Sequence, residues 1–175
     1  MMLTAPFALN ESPLHGTTGE TVDLSQLLGS RYETEKGKVF MLVKLVEDDV
    51  DVQRRTFIWA DRALYTVTRS VTTAAPVAGV GFNAMTDQSP ATGSYLLIQI
   101  RGRCEVRHGS EAVNTLGATR MWAVQDVSDA GEVEGTAVAP TAAADGHVYV
   151  GRFISGTAAD NATIVVELCE TVAEG

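Results

Sequence analysis

The sequence is short of the residues that staple a fold, ligate metals or attack substrates. Its 175 residues include two cysteines, Cys104 and Cys169, too few and too widely spaced for a disulfide framework or a paired-cysteine metal site. Both are expected to stay reduced and to act as small apolar residues in strands. The three histidines, His15, His108 and His147, show no metal-ligand spacing, so a zinc or iron site would require distant residues to converge in a barrel. No serine lies in the G-x-S-x-G pattern of a nucleophile elbow, which argues against a serine hydrolase. No apolar run approaches the ~18 residues that span a bilayer, and even Val39-Phe40-Met41-Leu42-Val43 is cut by Lys44. The opening MMLTAPFALNESPLHG has no basic n-region, so no secretory signal is expected. Without one, the Asn10 and Asn161 glycosylation patterns are expected to be chance matches.

Basic residues are also scarce. Thirteen Lys and Arg face 22 Asp and Glu, a formal net charge of −9, and a surface so acidic repels a phosphate backbone. Neither nucleic acid nor a membrane is expected as a partner. From Val124 onward Arg152 is the only basic residue, set against Asp126, Asp129, Glu132, Glu134, Asp145, Asp160, Glu167, Glu170 and Glu174. That half reads as solvated or partner-facing. Most arginines fall in the middle: Arg54, Arg55, Arg62, Arg69, Arg101, Arg103 and Arg107. They read as exposed residues on an antiparallel sheet, or as contacts for acidic segments of a neighbouring copy or another protein. Arg101, Arg103 and Arg107 share a face if the strand is regular, which Gly102 puts in question.

What the sequence does contain is β-structure. With 45% hydrophobic and 20% charged residues it has the composition of a folded protein. A chain of this size buries about 68–70% of the surface its unfolded form exposes. Residues 1–30 carry Pro6, Pro13, Gly16, Gly19 and Gly29 and read as an N-terminal arm, followed by a single β-rich domain at 31–175. Strand-like runs rich in β-branched and aromatic residues lie at 38–47, 55–61, 63–71, 95–100, 104–107, 118–127, 147–155 and 163–172. The first looks buried on both faces. Small-residue stretches at 71–94 and 128–146 read as long loops, the first containing Pro76 and Pro90. Seven or eight strands with little helix predict an all-β, mainly antiparallel fold, a small sandwich or barrel.

Two further patterns yield weak chemistry. Gly79-Val80-Gly81-Phe82-Asn83-Ala84 matches the spacing of a dinucleotide-binding loop, but no helix follows it, and a glycine-permitted loop is the better reading. Asp48, Asp49 and Asp51 form the densest acidic cluster; they lack the glycine and distal glutamate of an EF-hand loop, so a solvated turn is favoured over a weak calcium site. Adjacent carboxylates on one turn cannot flank a glycosidic bond from both faces. No catalytic, metal or cofactor-binding residue emerges, and the chain is not expected to be an enzyme.

The order of features carries a resemblance. An arm precedes Arg31-Tyr32-Glu33-Thr34-Glu35-Lys36-Gly37-Lys38-Val39-Phe40-Met41-Leu42-Val43-Lys44 and then Arg55-Thr56-Phe57-Ile58-Trp59. Gly79-Val80-Gly81, Gly93-Ser94-Tyr95-Leu96-Leu97-Ile98-Gln99, Val150-Gly151-Arg152-Phe153 and a final Val/Ile-rich strand follow. This layout resembles the head decoration, or cement, proteins of tailed bacteriophages. The resemblance implies a protein made in the host cytoplasm that binds the major capsid protein on the outer surface of the expanded virion shell, commonly as a homotrimer, and stabilises it. It implies no cofactor, and leaves residues 1–30 as the segment that would order on the capsid. The alternatives are another virion part, such as a tail-tube or head-completion protein, and a cupin-like ligand-binding barrel using some of the histidines.

Overall fold

A computed structural model describes residues 24–48, 51–69, 76–82, 92–109, 116–123, 131–136, 148–157 and 162–168. These residues form ten strands and one 3₁₀ turn, Ser25–Leu27. The strands are β1 (Arg31–Glu33), β2 (Val39–Leu45), β3 (Thr56–Asp61), β4 (Thr66–Thr68), β5 (Val77–Gly81), β6 (Tyr95–Arg107), β7 (Arg120–Ala123), β8 (Val133–Thr136), β9 (Val148–Gly156) and β10 (Thr163–Leu168).

Five of them close a barrel in the order β2-β4-β3-β5-β6, with β6 pairing back to β2 from Val39↔Arg101 to Lys44↔Tyr95. Strand alternation decides what fills it. Val39, Met41, Val43 and Leu45 of β2 face the lumen together with Phe57, Trp59, Val67, Leu96, Ile98 and Ile100. The intervening Phe40 and Leu42 face outward, where Tyr32, Leu97 and the 3₁₀-turn residues Leu24, Leu27 and Leu28 cover them. β2 is therefore buried on both faces from Val39 to Val43, as its apolar run before Lys44 predicts. Residues 24–30 of the expected arm lie against the barrel in this way; residues 1–23 fall outside the described set.

β6 is too long for one sheet and serves two. Its first half is barrel wall; its second half, from Gly102 to Arg107, pairs with β10 and begins a sheet that continues β9-β7-β8. The transition is built from two residues. The register against β2 slips between Val39 and Phe40, opposite Ile100, and Gly102 adopts φ +84°, a left-handed conformation that favours glycine. The Gln99 amide then donates to the carbonyls of Arg101 and Arg103, both at 3.0 Å, satisfying backbone acceptors at the slip. The second sheet curls until Val133 of β8 bridges His108, just beyond β6. Its inner face, including Val106, Met121, Val150, Ile164 and Val166, packs on Ile58, Val77 and Val80 of the outer barrel wall.

The all-β class and the barrel are as expected from the sequence; several element assignments are not. The stretch 71–94 contains fully buried β5, and 128–146 contains β8. β5 was concealed by its small residues, which here serve close approach. A Cβ on Gly79 would lie 2.7 Å from the Gln99 carbonyl oxygen, and one on Gly81 2.0 Å from that of Val52. The Gly79-Val80-Gly81 motif is thus a strand pressed against its neighbours, and not the loop expected. The runs at 95–100 and 104–107 are one strand.

Gly81→Ala should cost roughly 3 kcal/mol in chemical denaturation, because the colliding atom is backbone. Gly37→Ala, with open space around its φ +72° backbone, should cost only about 1–2 kcal/mol. Equal losses would show that the β5 contact is not tight.

Candidate functional site

Among the described residues the richest concentration of ionisable groups lies where the barrel meets the second sheet, around the turn at residues 51–55. The turn begins when Asp51 Oδ1 accepts the Gln53 N–H at 3.2 Å. Val52 then inserts, fully buried, into the barrel core. Arg54 follows in a left-handed conformation, φ +60°, held by backbone bonds on both sides. Its N–H donates to the Gly81 carbonyl at 3.2 Å, and its own carbonyl accepts the Arg107 N–H at 2.8 Å. The Gly81 N–H donates to the Arg55 carbonyl, and the Thr56 N–H to the Gly131 carbonyl. One turn is thereby tied to β5, β6 and the start of β8.

Side chains repeat those ties with charge. Arg55, its side chain 9% exposed, forms an ion pair with Glu132, 2% exposed. Arg107 Nη2 meets Asp51 Oδ2 at 2.8 Å, and Arg55 Nε lies 3.8 Å from the same oxygen. Arg54 Nε pairs with Glu105 at 2.9 Å, and its Nη1 donates to Thr163 Oγ1 of β10 at 3.4 Å. On β6, Arg103 pairs with Glu167 of β10 at 3.2 Å. Fully buried His108 sits beside this cluster, its N–H donating to the Ala162 carbonyl at 2.8 Å.

This arrangement is a clamp. Each of these guanidinium groups faces a carboxylate from another element, so the charges tie strands together. The contacts also correct two expectations. Arg54, Arg55, Arg103 and Arg107 each face a carboxylate of their own chain, and Arg55, expected to be an exposed sheet residue, is buried. Glu132, expected to be solvated, is buried. Arg103 and Arg107 share the outer face of β6 with Glu105, while Cys104 and Val106 point inward; Arg101 is also exposed but belongs to the barrel half, on the other side of the left-handed Gly102.

The remaining candidates separate in space. Asp48 accepts hydrogen bonds from the Thr92 N–H at 2.7 Å and hydroxyl at 3.0 Å, which hold its carboxyl below the usual range, whereas Asp51 belongs to the clamp. Asp49 lies outside the described residues, as do His15, His147 and Cys169. Burial pushes the Cys104 thiol far above its ordinary pKa, which makes it an inert core residue. Among the described residues no group of three His, Cys, Asp or Glu side chains is placed to hold a metal ion. A shallow cleft of about 70 Å³, lined by Lys38, Gly81, Phe82, Gln99, Cys104 and Glu105, is too small for an organic ligand of ordinary size. No protein-family model matches the chain, and no curated protein matches it.

Removing one partner of a buried ion pair strands the other charge. Glu132→Gln should therefore lower unfolding stability by about 3 kcal/mol, while Arg55→Met with Glu132→Leu should come within about 1 kcal/mol of the parent. Glu105→Gln, in a half-exposed pair, should cost under about 1 kcal/mol. Urea titrations of the three variants check the order.

Proposed function

We propose that this protein is a virion structural component that binds the outer surface of the expanded phage capsid and stabilises it. The observation that carries the reading is the internal pairing of four of the seven mid-chain arginines. With Arg54, Arg55, Arg103 and Arg107 locally neutralised by carboxylates of the same chain, the net charge of −9 is what an approaching partner meets. The barrel lumen is filled by Val, Met, Leu, Phe, Trp and Ile side chains, so recognition falls to outer faces, strand edges and loops. The resemblance of the sequence to head decoration proteins supplies the partner, the major capsid protein.

Weak contacts suffice for such a role when many copies act together, and trimeric clustering multiplies them. A protein that binds only the expanded lattice stabilises that lattice by mass action. An acidic ligand favours basic capsid surface, and its association weakens as salt screens the attraction.

Co-sedimentation with shells assembled from the major capsid protein of the same genome tests this. Saturable binding to expanded shells, declining with salt and absent from unexpanded shells, is the expected result. Equal binding to both shells, or to neither, overturns it.

A further inference from the structure

We infer that β1 is a self-recognition edge, through which two copies of this chain join antiparallel about a two-fold axis centred on Tyr32. The inference does not rest on capsid binding.

β1 is a three-residue strand whose inner edge is taken by β2, with Tyr32 opposite Phe40. Among the described residues no strand lies against its outer edge. The hydrogen-bond pattern says which groups face that edge. Leu42 N–H donates to the Ser30 carbonyl, and Thr34 N–H donates to the Lys38 carbonyl, so the pairs 30/42 and 34/38 are hydrogen-bonded. Alternation then makes Tyr32/Phe40 the hydrogen-bonded pair between them, and turns the N–H and C=O groups of Arg31 and Glu33 outward. Four backbone groups thus face away from β2 at consecutive bonding positions.

The side chains select a partner for them. Tyr32 is buried beneath β1 with Phe40, Leu42 and Leu97, while Arg31 and Glu33 are exposed and make no ion pair among the described residues. In an antiparallel pairing centred on Tyr32, Arg31 of one copy lies opposite Glu33 of the other, and Glu33 opposite Arg31. Both pairs fall at hydrogen-bonding positions, so the backbone of each copy can exchange bonds with the other at the same residues whose charges attract. Both charge contacts are favourable, and the two-fold operation makes them identical. Charged residues on short edge strands ordinarily discourage edge-to-edge pairing. That protection requires like charges to meet, and an Arg-x-Glu edge facing its own antiparallel copy brings opposite charges together.

The contact is small, and its strength depends on the two ion pairs. Arg31→Glu places Glu opposite Glu twice and should weaken self-association about tenfold or more. The charge swap Arg31→Glu with Glu33→Arg restores both attractions with reversed polarity. Sedimentation equilibrium over a wide concentration range should show the parent chain approaching twice the mass of the unit that R31E leaves, with the R31E/E33R chain recovering the parent behaviour. Far-UV circular dichroism confirms that all three retain their strands. Identical masses for the parent and R31E, or failure of the swap to recover association, overturn the inference.

Discussion

A single strand has to be a member of two curved surfaces. Up to Arg101, β6 follows the curvature of a closed five-stranded barrel; from Gly102 it follows a second sheet wrapped over the barrel's outer wall. An L-residue strand with uninterrupted hydrogen bonding cannot change course so abruptly. The register slip opposite Ile100, the left-handed Gly102 and the Gln99 amide solve the problem together. The slip supplies the bend, glycine tolerates its dihedral angle, and the amide satisfies carbonyls that would otherwise lose partners. Both hydrophobic clusters flanking β6 are positioned by this one change of direction.

The clamp at residues 51–55 sits where the two surfaces meet. Backbone bonds from Arg54, Arg55 and Thr56 to β5, β6 and the start of β8 join the barrel to the second sheet, and the Arg55–Glu132 pair between them is buried away from water. A buried ion pair adds little net stability over a well-packed apolar alternative. Its value is directional, since a guanidinium facing one carboxylate fixes how the two halves meet in a way that interchangeable methyl groups do not.

Strands that advertise themselves by branched and aromatic residues were readable from sequence: β2, β3, β9 and β10 fall where the runs at 38–47, 55–61, 147–155 and 163–172 place them. β5 and β8 were not: β8 is four residues inside a stretch of small and acidic residues, and in β5 alanine and glycine signal loops in a linear reading and tight packing in three dimensions. Gly79 and Gly81 are small because backbone oxygens of Gln99 and Val52 lie against them, and nothing local in the sequence announces those neighbours. The clamp was half visible. Arg54-Arg55 standing immediately before an apolar strand was a usable signal of charge at a strand mouth. Glu132, 77 residues away within a stretch that otherwise resembles a loop, carried no mark of its role.

The sharing of β6 also gives the chain a temporal order. Every strand of the barrel lies in the first 107 residues, so the barrel strands are synthesised ahead of β7, β8, β9 and β10. The second half of β6 then stands as a ready edge, and the late-arriving β10 pairs directly with it while β9 and β7 add in turn. Long-range pairing of this kind folds slowly when every partner must be found at once. Here the search is divided: the first closure is local to one half of the chain, and its product is the template for the second.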